Sequence, residues 1–303
     1  MFLNKRILSL LPYNLRQLLK LNVAYPLTIE GKEIIVPINV RDSIYNLYIS
    51  KSWKAEIIGY FIKSSGNVFV DVGANLGQTL IEFWLTDSGN SYIGFEPNEV
   101  CSEYLKTLIN INSLDGYKII PVGLFNENKS LSLYVQNNLQ TDACATVVDN
   151  LRPGRKYDVN SIQCRKFDNI FPELDINTIS LIKIDVEGSE LEVLQGMMAT
   201  VEKFKPPILC EVLFTDRKAD LLFMRDRNEV LVKLLDKWEY SIFQIIKSYN
   251  GSKVIDFKKI SSFSIEYWNL SNKDLCDYLF IPKEKEEYLR LILNNTSDKI
   301  SKQ

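Results

Sequence analysis

Between residues 66 and 214 this chain alternates short, almost wholly apolar runs with stretches of helical periodicity, and that alternation constrains the fold more than any other feature. The run VFVDV at 68–72 is followed by Leu80, Ile81 and Trp84 at helical spacing. SYIGFE at 91–96 precedes Val100, Tyr104, Leu105 and Leu108 on one helix face, and KIIPV at 118–122 reads as a third strand. ISLIKIDV at 179–186 is a fourth, leading into a helix over 187–201 with Leu191, Leu194, Met198 and Val201, and PILCEVLF at 207–214 is a fifth. A strand that is apolar at every position has both faces covered, and strands alternating with helices form a parallel sheet. The expectation is an α/β, doubly wound, mostly parallel sheet. Residues 22–50 alternate apolar and polar (Ile34, Val36, Ile38, Val40, then Ile44, Leu47, Ile49), which predicts small antiparallel strands ahead of a helix over 53–63. The division that follows is an N-terminal β/α extension at 1–65, a main domain at 66–283 and a tail at 284–303.

Such a sheet places ligands at the carboxyl ends of its strands. Asp71, Glu96, Asp185 and Glu211 all fall there. A carboxylate in an apolar sheet costs free energy unless it meets a partner, so four at one edge favour a site over coincidence. The chain has no histidine, which removes Ser-His-Asp and Cys-His catalysis and any imidazole base or zinc ligand. Proton transfer falls to carboxylates, Lys, Tyr, Cys or water. With a net charge of −2 and pI near 5.5 there is no overall basic field to hold a phosphate backbone, so nucleic acid is not the expected partner. Five widely spaced cysteines without a C-x-x-C pair read as reduced thiols in a cytoplasmic protein. No apolar run is long enough to span a bilayer. Residues 1–21 form a basic amphipathic stretch, with Lys5, Arg6, Arg16 and Lys20 among leucines. It suits either packing on its own domain or peripheral contact with an anionic membrane surface.

The sharpest motif is DVGANLGQ at 71–78, between a strand and a helix. Gly73 and Gly77 permit a tight turn and close backbone approach. A dinucleotide fingerprint needs glycine two positions after the first, where this chain has Asn75. Asp71, just before that first glycine, would repel a diphosphate but suits a ligand carrying a sulfonium, such as S-adenosylmethionine. Glu96 stands near the spacing at which an acid grips ribose hydroxyls. The second motif is LIKIDVEGSELEVLQG at 181–196, in which Lys183 and Asp185 share one face of an apolar strand, Glu187 lies in the following turn and Gly188 permits it.

Together DVGANLG, GFEPN and LIKIDVEGSELEVLQG make the chain resemble the FkbM family of S-adenosylmethionine-dependent methyltransferases, from about Gly66 to Pro282. The resemblance implies a class I methyltransferase (Rossmann-like) fold, a seven-stranded sheet whose last strand is antiparallel. It implies methylation of an oxygen, often a sugar hydroxyl of a glycan or glycoconjugate in polysaccharide biosynthesis. By position, Asp71, Gly73, Asn75 and Gly77 would surround the methionine part of the cofactor, Glu96 its ribose, and Asp185 the transferring methyl. Glu56 resembles a family glutamate. RKFDNIF, carrying Asp168, is similar to a family segment but lacks its usual Thr-Leu. Asn126 and Glu127 are the candidates for the adenine contact.

In-line transfer needs a base for the attacking hydroxyl, and Asp185 or Glu211 is the first choice, with Glu187 third. No metal is assigned. The same carboxylates would suit Mg²⁺, ranked below direct base catalysis because no spacing requires it. The runner-up functions are an NAD-dependent or nucleotide-sugar oxidoreductase, and a non-catalytic cofactor-binding subunit of a glycan-assembly complex. Tyr45, Tyr48, Trp53, Trp268 and Tyr278 are aromatics suited to a sugar ring but carry no assignment. The segment TDACATVVDN at 141–150 is the candidate substrate loop. Gly73→Val is expected to abolish cofactor binding and leave the fold largely intact.

Overall fold

A computed structural model describes residues 23–65, 68–86, 89–136, 139–149, 151–152, 154–215, 220–269, 271–272 and 274–300. The amphipathic stretch at 1–21 lies outside the described residues. The chain opens with a hairpin, β1 (Val23–Ile29) and β2 (Lys32–Ile38), joined through Glu30 and Gly31, both at positive φ. Two such residues make the turn whose twist matches antiparallel strands. The second predicted alternation, Ile44 to Ile49, is not a strand. Residues Arg41–Tyr48 form a 3₁₀ segment, in which the i, i+3 pair Ile44 and Leu47 falls on one buried side. Helix α1 (Trp53–Ser65) then leads into the sheet.

The parallel units follow in order: β3 (Val68–Val72), α2 (Gln78–Thr86), β4 (Ser91–Phe95), α3 (Glu99–Ile111) and β5 (Tyr117–Ile120). Asn98 starts α3 by accepting the Val100 amide at 3.0 Å, an N-cap that Asn favours by geometry. A separate three-stranded sheet, in the order β6 (Gly123–Leu124), β8 (Tyr157–Arg165), β7 (Lys129–Gln136), interrupts the alternation. After the short α4 (Phe167–Ile170) come β9 (Leu181–Ile184), α5 (Glu190–Gln195), α6 (Met198–Phe204) and β10 (Ile208–Glu211). The helix predicted over 187–201 is therefore two. They part at Gly196, where a Cβ would stand 2.1 Å from the Phe125 carbonyl oxygen, a backbone contact that no other residue permits. The chain finishes with α7 (Leu221–Lys237), β11 (Tyr240–Lys247), β12 (Val254–Ile260), β13 (Asp277–Pro282) and α8 (Glu287–Ile300).

The main sheet runs β12-β11-β13-β10-β9-β3-β4-β5. Strands β10, β9, β3, β4 and β5 are mutually parallel, and β13 is antiparallel to both β10 and β11. Seven of these are the strands of the class I methyltransferase fold, and β12 adds an eighth at the edge as a hairpin partner of β11. Side chains alternate between two cores, one on each face. Phe69 and Leu181 pack with α1, α2 and α3, while Val68, Val70, Val72, Ile182 and Ile184 pack on the opposite side with α5 to α7. Each such buried aliphatic residue contributes about 1.5–3 kcal/mol. Two-sided burial makes the strand ends the favoured place for polar groups on the sheet, and it sets where the site lies.

Candidate active site

A cleft of about 280 Å³ opens along the carboxyl ends of β3, β4, β9 and β10. Its floor is the DVGANLG turn. Gly73 has φ +82°, and a Cβ there would lie 1.9 Å from the backbone oxygen of Asp185, so this glycine lets β3 and β9 converge. The expectation that Gly73→Val would spare the fold is therefore corrected: a side chain would collide with backbone. Gly77, at φ +80°, faces Leu105 and Leu108 of α3; a Cβ at this position would stand 2.8 Å from Leu105, so the glycine serves helix packing. Asn75 sits at φ +44° and lines the cleft.

Five consecutive amides of this turn are already bonded. Gly73 and Ala74 both donate to the Phe95 carbonyl (3.0 and 3.1 Å), Asn75 to the Glu96 carboxylate (2.8 Å), Leu76 to the Asn75 side chain (2.8 Å) and Gly77 to the Ala74 carbonyl (2.9 Å). A phosphate cradle needs such donors free to point at the anion. Glu96 is buried and accepts a second amide, that of Asn98, at 2.8 Å. Burial pushes its carboxyl up to about 7, although those two backbone donors act in the other direction.

Beneath the turn, Lys183 links two carboxylates. Its ammonium lies 3.1 Å from Asp71, 3.3 Å from Asp185 and 3.1 Å from the Gly73 carbonyl. Asp71 is fully buried and also accepts the Tyr92 hydroxyl at 2.5 Å. Asp71 is thus part of the scaffold and does not line the cleft; its negative charge is answered by Lys183. Burial opposes charge on both Lys183 and Asp185. Their mutual attraction overcomes it, holding the lysine above its ordinary range and the aspartate below.

Asp185, Glu187 and Glu211 bring carboxylate oxygens within 4.8 Å of one another, so the three predicted candidates form one cluster. Glu211 is pushed up to about 10 by burial first and then by Asp185, Asp277 and Glu187. It therefore carries its proton at neutral pH and donates it to Asp185, which that hydrogen bond stabilises as the anion. Glu187 is pushed up to about 7, by burial and by Asp185, against the pull of Arg152. Lys54 of α1 lines the same end of the cleft and its charge helps to hold Asp185 ionised. Nothing in the sequence singled it out, because its helix precedes every motif.

The other end of the cleft is apolar, formed by Phe95, Leu124, Leu133, Ile162 and Cys164. Asn126 and Glu127 do not line it. Asn126 donates to Gln195 at 2.8 Å, and Glu127 pairs with Lys129 at 3.2 Å. Glu56 is also outside: its carboxylate accepts the Val254 amide at 2.9 Å and ties α1 to β12. Asp168 accepts the amides of Ala199 and Thr200 (both 2.9 Å) and the Thr200 hydroxyl (2.7 Å), so it caps the start of α6 from a neighbouring element. Asp142, Ala143, Ala145 and Val147, from the segment expected to be a substrate loop, form one wall. Tyr45, Tyr48 and Trp268 are exposed, Trp53 and Tyr278 are buried, and none of the five lines the cleft. All five cysteines are free. Among the described residues no helix is long and apolar enough to cross a membrane.

The methyltransferase FkbM domain model matches residues 71–241, just over half of the chain. The chain belongs to the FkbM methyltransferase family. Its match to the methyltransferase sdnD of Sordaria araneosa is 26% identical over 202 residues, covering 54% of this chain and 77% of that protein. With methyltransferase 1 of Beauveria bassiana it shares 20% identity over 142 residues, covering 42% of this chain and 57% of that one. A crystal structure of methyltransferase FkbM from Methylobacillus flagellatus superposes with a TM-score of 0.43 at 14% identity, over 80% of this chain and 50% of the other. The matched span of this FkbM methyltransferase starts at Asp71 and includes every strand-end acid described above, and methyl transfer replaces the oxidoreductase reading.

Proposed function

We propose that this FkbM methyltransferase uses S-adenosylmethionine to methylate a hydroxyl, a sugar hydroxyl of a glycan or glycoconjugate being the acceptor its motifs resemble most. The observation that carries the cofactor assignment is the turn with its five amides already bonded: it leaves no cradle for a diphosphate, while the cleft offers carboxylates at one end and an apolar slot at the other. Glu96, held by two backbone amides, keeps lone pairs for ribose hydroxyls. The slot between Leu124, Leu133 and Ile162 suits an adenine ring. Asn75 and Asp185 line the section between.

When bound, the cofactor supplies an electrophilic methyl on sulfur. The chain's own work is to hold the acceptor oxygen in line and to take its proton. Asp185 is the base in this reading. Lys183 fixes its carboxylate from one side, and the protonated Glu211 donates to it from the other. Glu211 already holds a proton and cannot take a second, so it moves from candidate base to donor. Mass spectrometry of glycans and glycolipids from a strain lacking the protein tests the acceptor class. The expected result is the loss of one CH₂ increment from a saccharide; glycans and glycolipids of unchanged mass overturn it.

The role of Glu211 has its own test. Its folded value of about 10 stands above the 4.5 of an ordinary glutamate, so the folded chain binds one more proton than the unfolded chain between those values. That contribution is fully present below pH 4.5 and is lost as pH rises towards 10. Glu211→Gln has no such proton and still donates to Asp185. In thermal melts the variant should match the wild type near pH 5 and exceed it increasingly up to pH 9, by about 2–4 °C per kcal/mol of linkage. Turnover should stay within about tenfold of wild type, whereas a base removed would cost about 10²–10⁴-fold.

A further inference from the structure

The turn at Glu187 is bound twice by the chain segment that crosses the cleft. The Thr146 hydroxyl donates to the Glu187 carbonyl at 2.6 Å, and the Arg152 guanidinium pairs with the Glu187 carboxylate. The second amino group of Arg152 donates to the Cys144 carbonyl at 3.0 Å, so one side chain joins the middle of the segment to the catalytic turn. Both partners of the ion pair are largely shielded, with 13% and 14% side-chain exposure, which sets this pair apart from the surface ion pairs of the chain. Glu187 adopts φ +55°, a conformation that a residue with a Cβ disfavours, and the two contacts hold it there.

The segment itself is shaped by local bonds. Asp142 accepts the amides of Cys144 and Gln136, both at 2.9 Å, and Thr146 exchanges backbone hydrogen bonds with Tyr134 of β7 at 2.8 and 3.2 Å. This folding presents Asp142, Ala143, Ala145 and Val147 to the cleft that Glu96 and Asp185 also line. One wall of the cofactor cleft is thus a strap held at its start by Asn98, which donates to the Gln140 carbonyl at 3.0 Å, and by Asp42, which accepts the Thr141 hydroxyl at 2.7 Å. It is then held on β7 through Thr146 and tied by Arg152 through the Cys144 carbonyl.

We propose that Arg152 is a latch, a positioning residue that fastens the strap at 139–149 across the cleft to Glu187 and thereby sets how fast the cofactor leaves. It acts through Glu187 and does not touch the reacting atoms. A forked guanidinium suits the task because it reaches a carboxylate and a carbonyl at once, which an ammonium on a lysine stem does with less geometric constraint. Lid opening of this kind commonly limits release of ligand from a closed site. The inference rests on the cofactor reading above, and its test separates the two.

Amide hydrogen exchange on the full ligand-free chain is the first measurement. In Arg152→Ala, peptides covering 139–149 are expected to exchange about tenfold or more faster, while β9 and α5 keep wild-type protection. Arg152→Lys should recover part of that protection. The second measurement is the dissociation rate of S-adenosylhomocysteine by stopped flow, expected to rise about 10–100-fold in Arg152→Ala and less in Arg152→Lys. Unchanged exchange at 139–149, or loss of protection spreading through β9 and α5, overturns the latch. So does an unchanged dissociation rate in a protein that binds the ligand. If the wild type binds no S-adenosylhomocysteine, the cofactor reading fails, and the exchange result alone decides the latch.

Discussion

Asp185→Asn is expected to lower kcat by about 10²–10⁴-fold while S-adenosylhomocysteine binds with an affinity within about tenfold of wild type. The amide keeps the size and one acceptor oxygen of the carboxylate, and Lys183 retains Asp71 at 3.1 Å and the Gly73 carbonyl at 3.1 Å. What disappears is the group that takes the acceptor's proton. A loss confined to kcat is the mark of an interaction made in the transition state, whereas a rise in KM alone would mark uniform binding. Single-turnover kinetics with a saccharide acceptor make the distinction. If turnover is retained, Asp185 is not the base, and Glu187, pushed up to about 7, becomes the group to test next.

The greatest loss of stability is expected from Lys183→Met. Lys183 is almost completely buried between Asp71 and Asp185, and methionine preserves its length while removing its charge. Breaking a buried ion pair by deleting one partner costs about 3–5 kcal/mol, because a charge remains without its counter-charge. At about 2–4 °C per kcal/mol, the melting temperature at neutral pH should fall by roughly 6–20 °C. Lowering the pH should narrow the deficit, because Asp185, held below its ordinary range in part by Lys183, loses that support in the variant and takes up a proton more readily. Asp71→Asn in the same chain should recover much of the loss, since the two sites share one network and their effects are not additive. Equal melting temperatures for wild type and Lys183→Met would show that the buried triad contributes nothing to folding.

The parallel sheet was legible because β3, β4, β9 and β10 are buried at almost every position, and a strand covered on both faces has little choice of composition. The strand-end acids were legible for the same reason: Glu96, Asp185 and Glu211 stand out against apolar neighbours, and the structure gathers all three at the cleft. The parts that escaped depend on contacts between distant residues. Ile44 and Leu47 read equally well as a strand or as one side of a 3₁₀ segment until Asn46 donates to the Leu76 carbonyl at 2.7 Å and to Tyr104 at 3.0 Å. Gly73 lines the cleft as expected of a cofactor contact and Gly77 does not, and the requirement of protein backbone and helix packing for both was not legible. Asp168 has an acid's chemistry but spends it on the start of α6, and Arg152 finds Glu187 across 35 positions of sequence. Lys54 belongs to a helix that no motif marks.

Whether the cleft accepts a sulfonium nucleoside and rejects a dinucleotide decides the rest, and calorimetric titration of the full chain with S-adenosylmethionine and with NAD answers it. Saturable binding of S-adenosylmethionine is predicted, weakened about tenfold or more by Glu96→Ala through lost charge-assisted hydrogen bonds to the ribose, together with no heat from NAD. Saturable binding of NAD, or S-adenosylmethionine binding that Glu96→Ala leaves unchanged, would contradict it.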